Sequence, residues 1–159
     1  MIKVMFVCHG NICRSPMAEF IFKDMVEKKG MSKDFYIASS ATSREEIGNP
    51  VYPQAKRKLM ENNISCAGKH AVQLTKKDYE NYDYILAMEE FNIKNIFRII
   101  KGDPHDKVHK LLDFTDNPKD IDDPWYTGDF NTTYNEILKG CNGLLNHIMN
   151  ELSTKIATK

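Results

Sequence analysis

A cysteine and an arginine with five residues between them, Cys8 and Arg14, frame the stretch Val7-Cys8-His9-Gly10-Asn11-Ile12-Cys13-Arg14-Ser15-Pro16. An apolar run, Val4 to Val7, stops at Cys8. Ser15-Pro16 is a helix-start signal, with Ser15 expected as the cap and Pro16 at the first helical position, where a missing N–H costs nothing. The stretch reads as strand, tight loop, helix. A loop of this length curls so that its backbone N–H groups converge. Together with a helix N-terminus and a guanidinium they form a site for a doubly negative anion. A thiol at the mouth of such a nest is favoured as thiolate. A thiolate in a phosphate cradle suggests attack on the phosphorus of a bound monoester and a cysteinyl-phosphate intermediate. Arg14 would grip two phosphoryl oxygens, and the loop N–H groups would take the remaining transition-state charge.

Competing readings of the stretch are weaker. A nucleotide-binding loop of the G-x4-G-K-[ST] kind needs a second glycine and a lysine, whereas only Gly10 and Arg14 are present. Cys8 and Cys13 have four residues between them, so a redox C-x-x-C is absent, and no second ligand pair completes a zinc site. A buried structural cysteine ending a strand is the plain alternative for a lone Cys. The accompanying Gly10, Asn11, Arg14 and Ser15-Pro16 argue against it.

The stretch, continued through Met17-Ala18-Glu19, closely resembles the signature of the low-molecular-weight protein tyrosine phosphatases. Three further segments match in order: Ser39 to Ser43 with Ile47-Gly48-Asn49-Pro50, Tyr82 to Met88, and Asp123-Pro124-Trp125-Tyr126. The resemblance implies a metal-independent phosphotyrosine phosphatase needing no cofactor. Cys8 is then the nucleophile and Arg14 the phosphate clamp, with His9, Gly10, Asn11, Ile12, Cys13 and Ser15 completing the loop. Asn11 and Ser15 are expected to hold the loop and the thiolate by hydrogen bonds. A tyrosyl group departs as phenoxide unless it is protonated, and a carboxylic acid on a nearby loop can do this. The resemblance assigns that role to Asp123, before Pro124, with Asp122 as its confounder. Trp125 and Tyr126 are expected to wall a cleft deep enough to select tyrosine over serine.

The chain departs from the family pattern at three places. Glu89 stands where an Asp commonly follows the Met, Lys69 occupies the position of a histidine that bonds the loop asparagine, and Glu45 replaces an aromatic rim residue. His70 is given no role. Two relatives of the same fold set the alternatives. Thioredoxin-coupled arsenate reductases relay a disulfide through a further cysteine pair, for which Cys66 and Cys141 are too isolated. Protein arginine phosphatases carry Thr where this chain has Ile12. A non-catalytic phosphate-binding module would be expected to have lost Cys8, Arg14 or the acid.

The elements that must position these residues follow from periodicity. Residues 2–8 read as a buried parallel strand, being apolar almost without alternation. Met17, Phe20, Ile21 and Met25 recur at helical spacing, and Gly30 is the stop. Further strands are expected at 35–39, 84–88 and 108–114, and helices at 54–62, 89–100 and 131–152. The fold expected is α/β: a four-stranded parallel sheet with helices on both faces, in flavodoxin-like winding. Its catalytic loops gather at the carboxyl ends of the strands.

Composition agrees with one domain over residues 1–159. Twenty-two basic and twenty-two acidic side chains cancel, so no global field draws the chain to nucleic acid or an anionic membrane. No apolar run spans a bilayer and Met-Ile-Lys-Val leads straight into a strand, so a cytoplasmic monomer is expected. Its partners are expected to be phosphotyrosine-containing proteins or small aryl phosphates. The four cysteines read as reduced thiols. Cys13 is expected close enough to Cys8 to condense with its sulfenic acid.

Overall fold

The computed structural model describes residues 1–157, so the last two residues of the expected domain lie outside it. Four parallel strands, β1 (Ile2–Cys8), β2 (Phe35–Ala41), β3 (Tyr84–Ala87) and β4 (Val108–Lys110), form one sheet in the order β2-β1-β3-β4. β1 lies at its centre, with Cys8 opposite Ala41 and Val7 opposite Ala87. Its near-continuous apolar run has a direct cause, because alternate residues enter different cores. Val4 and Phe6 face helices α1 (Arg14–Lys28), α2 (Pro53–Glu61) and α6 (Phe130–Ala157), while Met5 and Val7 face α3 (Asp78–Asn81) and α4 (Glu90–Ile100). Phe6 packs edge-on against Phe22, centroids 5.7 Å apart, and both are fully buried. Each such side chain contributes about 1.5–3 kcal/mol of burial. A short α5 (Pro124–Thr127) completes the set.

Four expectations need correction. β4 ends at Lys110, not Phe114. β3 stops at Ala87, opposite Lys110, so no strand remains to pair with the rest of the apolar run. The Lys110 N–H is taken by the Asp113 carboxylate at 3.1 Å, and Leu111 and Leu112 turn under α6 in a 3-10 turn. Gly143 permits this approach, because a Cβ there would overlap the Phe114 carbonyl. β2 runs on to Ala41, two residues past the expected end. On α1 the buried face is centred on Met17, Ile21, Phe22 and Val26, and Phe20 and Met25 pack only at its margin. Finally, Ser15 does not cap α1. Cys13 holds the cap position with no side-chain bond, and Ser15 lies within the helix. The C-terminal end is as read: Gly30, at φ +70°, closes a double turn in which Gly30 N–H bonds Glu27 O and Met31 N–H bonds Val26 O.

Candidate active site

The Cys8 sulfur sits at the carboxyl end of the central strand, 3 % exposed, with three groups around it. The backbone N–H groups of Asn11 and Ser15 point to it at 3.4 Å, and the Ser15 hydroxyl lies at 3.0 Å. Asn11 makes the curl possible. Its backbone is left-handed, φ +59°, a conformation that Asn tolerates better than most residues. Its buried side chain is fully engaged: Oδ1 accepts from Val72 N–H, and Nδ2 donates to both Ser15 Oγ (2.7 Å) and Ser39 Oγ (2.9 Å).

These bonds have a direction. Ser39 O–H donates to Glu19 Oε1 at 2.6 Å, so the Ser39 oxygen is left to accept from Asn11. Ser15 Oγ accepts from Asn11 as well, and its own proton has two acceptors in reach, the Ser40 carbonyl at 3.5 Å and, once Cys8 is a thiolate, the nearer sulfur at 3.0 Å. A buried carboxylate, Glu19, thus polarises a chain of hydrogen bonds that ends as an O–H donor on the nucleophile. Lys23 (2.6 Å) and Lys69 (3.7 Å) flank Glu19, and Lys69 also donates to Ser39 O at 2.9 Å. Burial lowers the Lys69 ammonium from its ordinary range, against the pull of Glu19. The position where the family resemblance led to a histidine is thus filled by a lysine that reaches the same network from below. The ring of His70, an exposed residue, meets Gly68 O at 3.2 Å, outside this network.

Arg14 is 1 % exposed. Its Nη1 donates to Ile121 O at 2.9 Å and lies 3.1 Å from Glu89, while Nη2 lies 3.3 Å from Asp123. Burial alone would pull the guanidinium down, but the anions of Cys8, Asp123 and Glu89 raise it above its ordinary value, so it stays charged. Glu89 therefore orients the arginine despite its extra methylene. It can do so because Asn92 Oδ1 accepts from both Met88 N–H and Glu89 N–H (3.1 Å each) and fixes the turn from β3 into α4.

Asp123 caps α5: Oδ1 accepts from Trp125 N–H at 3.0 Å, and Oδ2 faces Arg14. Asp122 is exposed and lines a different groove; its carbonyl accepts from Thr133 O–H, and its carboxylate is close enough to Lys119 to help raise that ammonium. The loop, Arg14 and Asp123 line a cavity of about 140 Å³, together with Trp125, Tyr126, Glu45 and Glu46. Trp125 rests edge-on against Tyr52, centroids 5.0 Å apart. On the rim, His9 Nε2 meets Glu45 at 3.1 Å. Gly10, Ile12 and Cys13 complete the floor. Cys13 stays a neutral thiol, pushed far up by burial and then by the charge of Cys8. Burial also raises Cys66 and Cys141, and all four cysteines are unpaired thiols.

The structure thus brings together the loop, Arg14, Asp123, Trp125 and Tyr126. Sequence reasoning gave no role to Glu19, Ser39 or Asn92. The first two lie inside matched segments, yet only the packing of α1 against β2 reveals that they touch. The signal for Asn92 was its place three residues after Glu89, a helix-capping spacing.

A family model described as "Low molecular weight phosphotyrosine protein phosphatase" matches residues 3–155. The low molecular weight protein-tyrosine-phosphatase YfkJ of Bacillus subtilis is 38% identical, over 95% of this chain and 98% of its own. PtpA of Staphylococcus epidermidis is 34% identical over 98% and 99%. The crystal structure of YfkJ superposes with a TM-score of 0.91, covering 95% of this chain and 96% of that one. SP-PTP, a low molecular weight protein tyrosine phosphatase from Streptococcus pyogenes, gives 0.84 at 37% identity, covering 98% of each.

Proposed function

The chain belongs to the low molecular weight phosphotyrosine protein phosphatase family and is a phosphatase of that kind; from this premise we propose how its own residues carry the reaction. The Cys8 sulfur attacks phosphorus while Arg14 and the loop N–H groups hold the equatorial oxygens. Phosphate binding draws Arg14 Nη2 from Asp123 to a phosphoryl oxygen and frees the Asp123 carboxyl to face the ester oxygen. Freed from Arg14 and set beside the negative phosphoryl group, the Asp123 carboxylate takes up a proton from solvent, and as the P–O bond breaks it gives that proton to the departing phenoxide. Its carboxylate then takes a proton from the water that attacks the cysteinyl-phosphate. The S–P bond breaks, thiolate returns and inorganic phosphate leaves. The observation that carries this reading is Arg14, buried between Glu89 and Asp123 beside a sulfur with three hydrogen-bonding neighbours. Phosphotyrosine, phosphoarginine and arsenate offered to one preparation test it. Turnover of phosphotyrosine alone is expected, in keeping with Ile12 in the loop, and faster turnover of phosphoarginine or arsenate would overturn it.

The same reading places the protein in the cytoplasm as a monomer acting on phosphotyrosine-containing proteins or small aryl phosphates. The balanced charge and reduced thiols support this. No helix among the described residues is long and apolar enough to cross a membrane.

The relay below the loop gives a prediction of its own. Lys69→Met removes one of two cations from the buried Glu19 and the donor to Ser39 O. A stability loss of about 1–3 kcal/mol is expected by denaturant unfolding, together with a roughly tenfold fall in kcat as the Ser15 donor loosens. Unaltered kcat would detach Lys69 from the chemistry.

Cys13 carries another. Peroxide converts Cys8 to sulfenic acid and removes the thiolate charge that helps keep Cys13 protonated. The Cys13 thiol then attacks the sulfenic sulfur, forming the Cys8–Cys13 disulfide and releasing water. Thiol reductants should restore activity, and phosphate should protect it. In Cys13→Ser, peroxide inactivation should become largely irreversible. Recovery equal to that of the unaltered protein, or mass spectra pairing Cys8 with Cys66 or Cys141, would refute the bond.

A further inference from the structure

Beside the catalytic cavity lies a second groove of about 450 Å³ that shares His9, Asp123 and Tyr126 with it. The two are therefore contiguous. A phosphotyrosine seated on Arg14 places its flanking residues about 3.8 Å away per Cα step, within side-chain reach of this groove. Its walls are two unusually bare aromatic rings, Phe91 at 55 % exposure and Tyr126 at 85 %. Phe91 lies beside His9, centroids 6.3 Å apart, so ring faces continue from the catalytic loop into the groove. Its other lining residues include Glu89, Asp122 and Asp123, and none is a lysine or arginine. Glu89 and Asp123 are taken up by Arg14 in the catalytic cavity, whereas Asp122 is exposed and outside that ion pair.

Resting on the phosphotyrosine phosphatase reading, we infer that this groove is a specificity subsite for an arginine side chain next to the phosphotyrosine of a protein substrate. The chemistry selects arginine. A planar guanidinium stacks on exposed aromatic faces and offers a fork of N–H donors to a carboxylate, whereas a lysine ammonium gives up most of the stacking. An acidic flanking residue meets Asp122 in the groove and the exposed Glu45 at the catalytic cavity, and is repelled. Glu45 is not among the residues lining the groove, although His9, which lines it, bonds Glu45 at 3.1 Å. A small aryl phosphate fills only the inner cavity and does not engage it.

Three phosphotyrosine peptides of one scaffold, flanked on both sides by Arg, Lys or Gln, test the inference, with a small aryl phosphate as a check on the catalytic reading. The expected order of kcat/KM is Arg, then Lys, then Gln, with roughly tenfold between Arg and Gln at low salt. In Phe91→Ala/Asp122→Asn, both surface positions, the Arg-to-Gln ratio should fall to about two. In Glu45→Gln it should stay above half its original value. Equal rates for the three peptides, a ratio that survives the groove double variant, or a ratio lost in Glu45→Gln instead would each overturn the subsite. Failure to hydrolyse the aryl phosphate and every peptide would strike the catalytic reading and not the subsite alone.

Discussion

Cys8→Ser should bind phosphate or vanadate and turn over no aryl phosphate, a loss of at least about 10⁴-fold in kcat. The cradle does not depend on the sulfur. Asn11 is held by Val72 N–H, Ser15 and Ser39, and Arg14 by Ile121 O, Glu89 and Asp123. Serine supplies an oxygen of similar reach, but a hydroxyl in this site has no adjacent base to take its proton. Binding by calorimetry and turnover of an activated aryl phosphate separate the two effects. Retained binding with no turnover is the expected pair, and substantial residual hydrolysis would mean that another group attacks phosphorus. Chelators should leave the unaltered enzyme as active as before, and EDTA inactivation reversed by zinc would require a different mechanism.

Asp123→Asn should cost about 10²–10⁴-fold in kcat for phenolic esters with poor leaving groups, and much less for activated aryl phosphates, whose leaving groups need little protonation. The substitution is mild for the fold, because an amide oxygen can still accept from Trp125 N–H and keep α5 capped. The proton donor and the anion facing Arg14 are lost. Asp122→Asn should cost far less with the same esters, since its carboxylate lies outside the catalytic cavity. A plot of log kcat against leaving-group acidity should be steep for Asp123→Asn and shallow for the unaltered enzyme. The reverse order of the two variants would move the acid one residue along the chain.

The loop from Cys8 to Ser15 was legible because its chemistry is local: strand end, curl and helix start are written in ten consecutive residues. Strands β1 and β3 were legible for a similar reason, since their apolar residues run almost without a break. What escaped was set by tertiary pairing. Ser15 looked like a helix cap by type and place, yet its hydroxyl meets Asn11 Nδ2 and the Cys8 sulfur instead of a backbone N–H of the helix. The run from Val108 to Phe114 looked like one strand, and nothing in it says that the neighbouring strand ends opposite Lys110. Lys69 and Glu89 departed from the family pattern in type. Glu89 still meets Arg14, whereas Lys69 enters the network beside Asn11 through Ser39 O and Glu19.

The bond from Arg14 to Ile121 O spans 107 positions in the sequence. Closure of so long a segment belongs to the slow, non-local part of folding. A nascent chain that has emerged only as far as β4 already contains the whole phosphate loop, but neither the carbonyl that fixes its guanidinium nor the acid at residue 123. Such an intermediate lacks both the fixed guanidinium and the acid that poor leaving groups need. Regain of activity during refolding should therefore trail regain of helix signal and of phosphate protection.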